Sequence, residues 1–178
     1  MGDKHQKAKG RRTSHTFAAK PHHIFRADTK NQKPSVASIL SHKAAHLLDN
    51  LIAQYNGSNN GDLSVAPKIM KLYGWTSQGS IHSALTELLA HGFIEQTRQG
   101  GRNKCSLFAV TWLAIDDCGG KLDVAPTKVP SNLWKPENKD KIDPRFSKSR
   151  DTQKPKQQPK LKLVAAIRTN DVSIRTSH

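Results

Sequence analysis

Residues 63–94 read LSVAPKIMKLYGWTSQGSIHSALTELLAHGFI. Ser64 stands where an N-cap should be, and Pro67 is tolerated just after it because the first turn of a helix has no amide partner to lose. Ile69, Leu72 and Tyr73 give this short helix an apolar stripe, and Gly74 ends it. After the turn at Gly74-Trp75-Thr76, either Thr76 or Ser77 caps a second helix. Its Ile81, Ala84, Leu85, Leu88 and Leu89 recur at steps of three and four, the spacing of one helix face. Gly92 suits the left-handed position after the helix, and Phe93 supplies the apolar contact that goes with such a cap. Two helices joined by so short a turn form a helix-turn-helix arrangement.

Working outward, Leu40, Ala44, Leu47, Leu48, Leu51 and Tyr55 mark an earlier amphipathic helix, capped by Ser41 and ended by Asn56-Gly57. The run from Tyr55 to Asp62 is loop chemistry, since Asn and Gly accept positive φ. On the other side come two strand candidates, Ile94–Arg98 and Lys104–Trp112, around the hairpin loop Gln99–Asn103. Phe108, Val110 and Trp112 share one face of the second strand, the expected core side, and Cys105, Leu107 and Ala109 share the other. The order is helix, helix, turn, helix, hairpin. That predicts a mainly α fold with a small β-hairpin, a winged helix-turn-helix domain over residues 34–123.

The charge pattern supports this boundary. The chain has 178 residues and a net charge of +15, from 29 Lys/Arg against 14 Asp/Glu. Residues 1–33 carry nine Lys/Arg and two acids, and residues 124–178 carry thirteen and five. The middle holds seven of each and is neutral. Both ends are poor in large apolar residues, so they read as a disordered basic N-terminal arm and a disordered basic C-terminal tail. A net charge this large favours a polyanionic partner. No apolar run approaches the length of a membrane span, and no apolar stretch follows the basic N-terminus as in a secretory signal. Cys105 and Cys118 are too few for a disulfide framework or a four-cysteine zinc site. The expectation is a reduced, soluble, cytoplasmic protein associated with the nucleoid.

Several motifs together carry a resemblance. They are Leu40-Ser41-His42-Lys43-Ala44-Ala45-His46-Leu47-Leu48, Tyr55-Asn56-Gly57, Asn59-Asn60-Gly61-Asp62-Leu63 and Gly74-Trp75. They continue through Ala84-Leu85-Thr86-Glu87-Leu88, Gly92-Phe93-Ile94, Thr97-Arg98-Gln99-Gly100-Gly101-Arg102 and Cys118-Gly119-Gly120-Lys121-Leu122-Asp123. The chain resembles a group of uncharacterised bacterial winged helix-turn-helix proteins associated with phages and mobile elements. The resemblance covers roughly the middle half of the chain and implies the fold and a DNA-binding role. It supplies no target sequence and no catalytic residues.

A helix in the major groove presents its N-terminal side chains to base edges. On the helix after Gly74 those are Ser77, Gln78, Ser80, His82 and Ser83, with Glu87 facing outward or sideways. Gln pairs bidentately with adenine, Ser reads more than one base, and Ser77 with the helix N-terminus suits a phosphate. The helix has no Lys or Arg, so a solvated face is the bland reading. The hairpin offers Arg98, Gln99, Arg102, Asn103 and Lys104 around a Gly-Gly tip, suited to phosphate or a minor groove. Lys7, Lys9, Arg11 and Arg12 form an arm for phosphate contact without sequence reading. RNA is a further ligand open to the tails, although Phe17, Phe25, Trp134 and Phe146 are too scattered for a stacking platform.

His42 and His46 have metal-ligand spacing but no third ligand in sequence, so no metal is expected. Cys105 reads as a packed strand residue, and Cys118 as an exposed thiol with nothing to activate it. Gly119-Gly120-Lys121 lacks the spacing of a phosphate-binding loop, and no nucleophile-base-acid set stands out. The chain therefore reads as a non-enzyme without cofactors. Residues 161–167 are an apolar run that either docks on a protein partner or is incidental in the tail. Leu133-Trp134 can fold back onto the domain. The first helix serves either the core or a homodimer interface.

Three functions fit. The first is sequence-specific binding of double-stranded DNA by a transcriptional regulator. The second is a replication or maintenance protein of a phage or mobile element. The third is a protein-interaction module whose tails alone touch nucleic acid.

Overall fold

The computed structural model describes residues 20–151, with side chains to residue 147. The elements are α1 (His22–Phe25), α2 (His42–Gln54), β1 (Leu63–Ser64), α3 (Pro67–Leu72), α4 (Gln78–Ala90), β2 (Ile94–Arg98), β3 (Leu107–Val110) and α5 (Pro144–Asp151). Short 3₁₀ turns lie at Val36–Ile39 and Pro136–Lys141. The architecture is mixed: helices packed on a small three-stranded antiparallel sheet of order β1-β3-β2. The basic arm at Lys7, Lys9, Arg11 and Arg12 and the apolar run 161–167 lie outside the described residues.

The helices start where their caps dictate. Ser41 Oγ accepts from the Ala44 amide at 3.2 Å, opening α2. Ser77 Oγ accepts from the Ser80 amide at 3.3 Å, opening α4. At the end of α4, Gly92 lies in the left-handed region (φ 72°). Its amide donates to Leu89 O at 3.1 Å, and the Phe93 amide donates to Leu88 O at 3.0 Å. This is a Schellman ending. A side chain on Gly92 would also strike the Leu133 carbonyl at 2.5 Å, because the later chain crosses here.

Two expectations need correction at the short helix. Ser64 does not cap α3; it sits in β1, opposite Leu107 of β3. Ala66 is the residue before the first turn. Leu72 is 86 % exposed, and Met70 is the fully buried side chain of α3. The helix is only one and a half turns, so the apolar period fits two phases, and packing selects Met70.

The core joins Leu47, Leu48 and Leu51 of α2, Leu63, Met70, then Ile81, Ala84 and Leu88 of α4, Phe93, Phe108 and Val110. All four residues of β3 are buried, so the Phe108 side faces this core and the Leu107 side is covered as well. The strand is shorter than the expected Lys104–Trp112. Cys105 lies before it and is exposed, contrary to the packed reading.

Packing also runs beyond both ends of 34–123. Ile24 of α1 is fully buried, and Phe25 meets Trp112 edge-on at 5.6 Å between centroids. Leu133 and Ile142 are buried, Trp134 and Phe146 pack against the core, and α5 lies against α4. A strap over residues 131–147 thus crosses the C-terminal end of α4.

One buried amide organises the loops. Asn60 Nδ2 donates to the carbonyls of Val110 (3.1 Å), Leu113 (3.2 Å) and Ala114 (2.8 Å), while its Oδ1 accepts from the Val110 amide (2.8 Å). The Asn60 amide donates to Asp116 Oδ2 at 2.8 Å. A side chain that is both donor and acceptor is required to satisfy all these groups out of water.

Candidate nucleic-acid interface

The N-terminal half of α4 is open. Ser77, Gln78, His82 and Ser83 are exposed, and Ser80 is half-buried with its Oγ 3.2 Å from Lys43 Nζ of α2. Gln78 and His82 are four apart, so they share one helix face. The strap and α5 cover the other end of the helix, around Leu89.

Glu87 is not on that open face. Only 5 % of it is exposed. Its Oε1 accepts from the Ser41 amide at 2.6 Å, and its Oε2 accepts from Ser41 Oγ at 2.7 Å. In a capping box, a Glu three residues into a helix returns to the cap residue's own amide. Here the Glu comes from a different helix and does the same for α2. This acid is spent holding α4 to the start of α2, so the open half of α4 carries no carboxylate.

The hairpin divides into a base and a tip. The Gly101 and Lys104 backbones exchange hydrogen bonds at 3.0 and 3.2 Å, enclosing Arg102 and Asn103, the latter in the left-handed region (φ 65°). Arg102, Asn103 and Lys104 are exposed and make no side-chain hydrogen bond or ion pair among the described residues. Gly-Gly is therefore the neck, not the tip. Gly100 is needed there because a Cβ would come within 2.7 Å of Ser106.

Arg98 and Gln99 belong to the base. The Arg98 guanidinium donates to Cys105 O at 3.1 and 3.0 Å and to Lys121 O at 3.2 Å. Lys121 in turn pairs with Asp62 at 2.5 Å, which raises the Lys121 pKa. The Gln99 amide donates to Asp123 Oδ2 at 2.7 Å, and its side-chain oxygen accepts from Gln96 and Arg145. These two side chains brace the hairpin, and the sequence gives no sign of it because their partners are backbone carbonyls and distant residues.

His46 stacks on Trp75 with centroids 5.5 Å apart. No group of three or more His, Cys, Asp or Glu among the described residues is placed to hold a metal. Cys118 is half-buried, and burial with the nearby Asp62 and Asp116 pushes its thiol pKa up. No described helix is long and apolar enough to cross a membrane. Comparison with protein-family models, curated proteins and solved structures returned no match to this chain.

Proposed function

We propose that the chain is a winged helix-turn-helix protein that reads duplex DNA, in the class of transcriptional regulators. Helix α4 enters the major groove and the tip at Arg102–Lys104 contacts the neighbouring backbone or minor groove. The observation that carries the reading is the withdrawal of Glu87. It leaves Gln78, His82 and Ser83 on an acid-free helix face, and the hairpin tip adds three polar side chains with no hydrogen bond or ion pair among the described residues.

The test is a binding selection from random duplex DNA with the full chain, repeated with Gln78→Ala and Arg102→Glu. Gln78→Ala is expected to relax one position of the selected site, by about 1–3 kcal/mol. Arg102→Glu is expected to weaken all sequences alike. Selection of the same site with the same affinity by both variants would refute the reading.

The absence of Lys and Arg from α4 favours a second reading, a protein-interaction module whose basic ends alone bind nucleic acid. It predicts retention of DNA with no enriched sequence.

A further inference from the structure

Between the start of α2 and the start of α4 lies an open cleft of about 310 Å³. Its lining includes His42, Lys43 and His46 of α2, Trp75 from the turn, and Ser77 and Ser80. No lining residue is acidic. The two acids on the flanking helices are already engaged. Asp49 pairs with Lys20 at 2.5 Å, and Glu87 is bonded to Ser41.

The cleft is also stiff. The Trp75 indole N–H donates to Asn50 Oδ1 at 2.7 Å, and Asn50 is itself buried. The fixed indole carries the His46 ring stacked upon it. Lys43 Nζ rests 3.2 Å from Ser80 Oγ, so its ammonium is drawn across the cleft mouth. Imidazole N–H groups, an ammonium and hydroxyls are donors suited to phosphate oxygens. The first turn of α4 closes the cleft and its dipole favours an anion there.

We propose that this cleft seats a phosphate group, namely one backbone phosphodiester of the duplex against which α4 docks. The assignment to duplex rests on the DNA-reading function proposed above. It follows from the cleft's openness and its place beside the exposed first turn of α4. His42, Lys43 and His46 then hold the strand and fix how far α4 enters the groove, while Gln78 and His82 face the bases. This divides positioning from reading. It also supplies, at Lys43, a cation that α4 lacks.

The test compares the full wild-type chain with a triple variant, His42→Gln, Lys43→Met and His46→Gln. A control, Lys71→Met, removes an exposed cation of α3 outside the cleft lining. All three cleft side chains are exposed, so the variant keeps its core. One arm measures affinity for a random-sequence duplex against salt concentration. The other titrates inorganic phosphate and follows the Trp75 indole N–H by NMR.

The triple variant should lose about tenfold in duplex affinity, and its log–log salt slope should flatten by about 0.9, the mark of one lost phosphate. Phosphate should shift the Trp75 signal in wild type and in the control but not in the triple variant. Equal slopes and affinities in wild type and triple variant would overturn the proposal. If wild type bound no duplex yet phosphate still shifted Trp75, the DNA-reading function and the duplex assignment would both fall. A free phosphate ester would then be the ligand.

Discussion

Replacing Glu87 by Ala removes both hydrogen bonds to Ser41, at 2.6 and 2.7 Å. Hydrogen bonds to a charged acceptor contribute about 1.5–3 kcal/mol each. The two share one partner residue and are not independent. Two effects reduce the loss. Ser41 itself is exposed, so water reaches its amide once the carboxylate is gone. Removing Glu87 also recovers the cost of holding a carboxylate away from water. A net loss of about 2 kcal/mol is expected. For an ordered region between the 100- and 150-residue classes this lowers Tm by roughly 6–10 °C. Glu87→Gln keeps one acceptor for the Ser41 amide and should cost about half as much.

Urea unfolding followed by circular dichroism measures this, with the midpoint falling and the m-value constant. A double-mutant cycle with Ser41→Ala, which keeps the Ser41 amide, isolates the hydroxyl–carboxylate bond, and a coupling of about 1–2 kcal/mol is expected. Glu87→Ala within about 0.5 kcal/mol of wild type would refute the inter-helix cap, since that is the range of ordinary surface changes. A DNA readout separates the two placements of this side chain. On the outer face, Glu87→Gln would relieve repulsion and tighten binding to every duplex. Buried against Ser41, it should leave duplex affinity within about twofold, well under 1 kcal/mol.

The other predictions concern the loops, α3 and the strap. Asn60→Ala strands the Val110 amide and three carbonyls, and should cost about 3 kcal/mol or more in urea unfolding. Asn60→Asp should be no better, since a carboxylate cannot donate to those carbonyls. Met70→Ala should lose about 2–5 kcal/mol, whereas Leu72→Ala should stay within about 0.5 kcal/mol; reversed values would contradict the phase of α3. Burial raises the Glu95 pKa, outweighing the opposing hydrogen bond from Ser131 Oγ. An acid with a raised folded-state pKa binds more protons folded than unfolded, so its stabilising contribution is present below the ordinary Glu range and declines as pH rises through the raised value. Glu95→Gln should therefore be more stable than wild type at neutral pH, with the advantage vanishing below the ordinary Glu range. A pH series of Tm values for the two proteins checks the sign.

The elements with strong local chemistry were readable from the sequence. Ser41 and Ser77 open their helices, Gly92 ends α4, and β2 spans Ile94–Arg98, the range expected before the hairpin loop. What escaped depends on partners far away in the chain. The two residues of β1 are too few to show a period. Ile24, Leu133 and Ile142 are isolated apolar residues in charged surroundings, and only the assembled core makes them buried. On the candidate site, the exposure of Gln78, His82 and Ser83 followed from the helix period. Glu87 and Arg98 were misplaced because a charge in a sequence reads as a surface group. Here a cap amide and two backbone carbonyls claim them instead.

The last residue of α2 has a consequence for how copies of this chain meet. Gln54 donates from Nε2 to the Ser64 carbonyl at 3.0 Å and accepts through Oε1 from the Ser64 amide at 2.9 Å. A carboxamide thus imitates a neighbouring strand and plugs the open flank of β1. At the far flank, the Asp123 amide donates to the Thr97 carbonyl at 2.9 Å, where β2 bulges. Unpaired strand flanks are the usual seeds of intermolecular zippering. With both stoppered from within, a second molecule finds no backbone rung to extend at these positions. Crowded side by side on a polyanion, the molecules should remain separate beads rather than fuse into a ribbon.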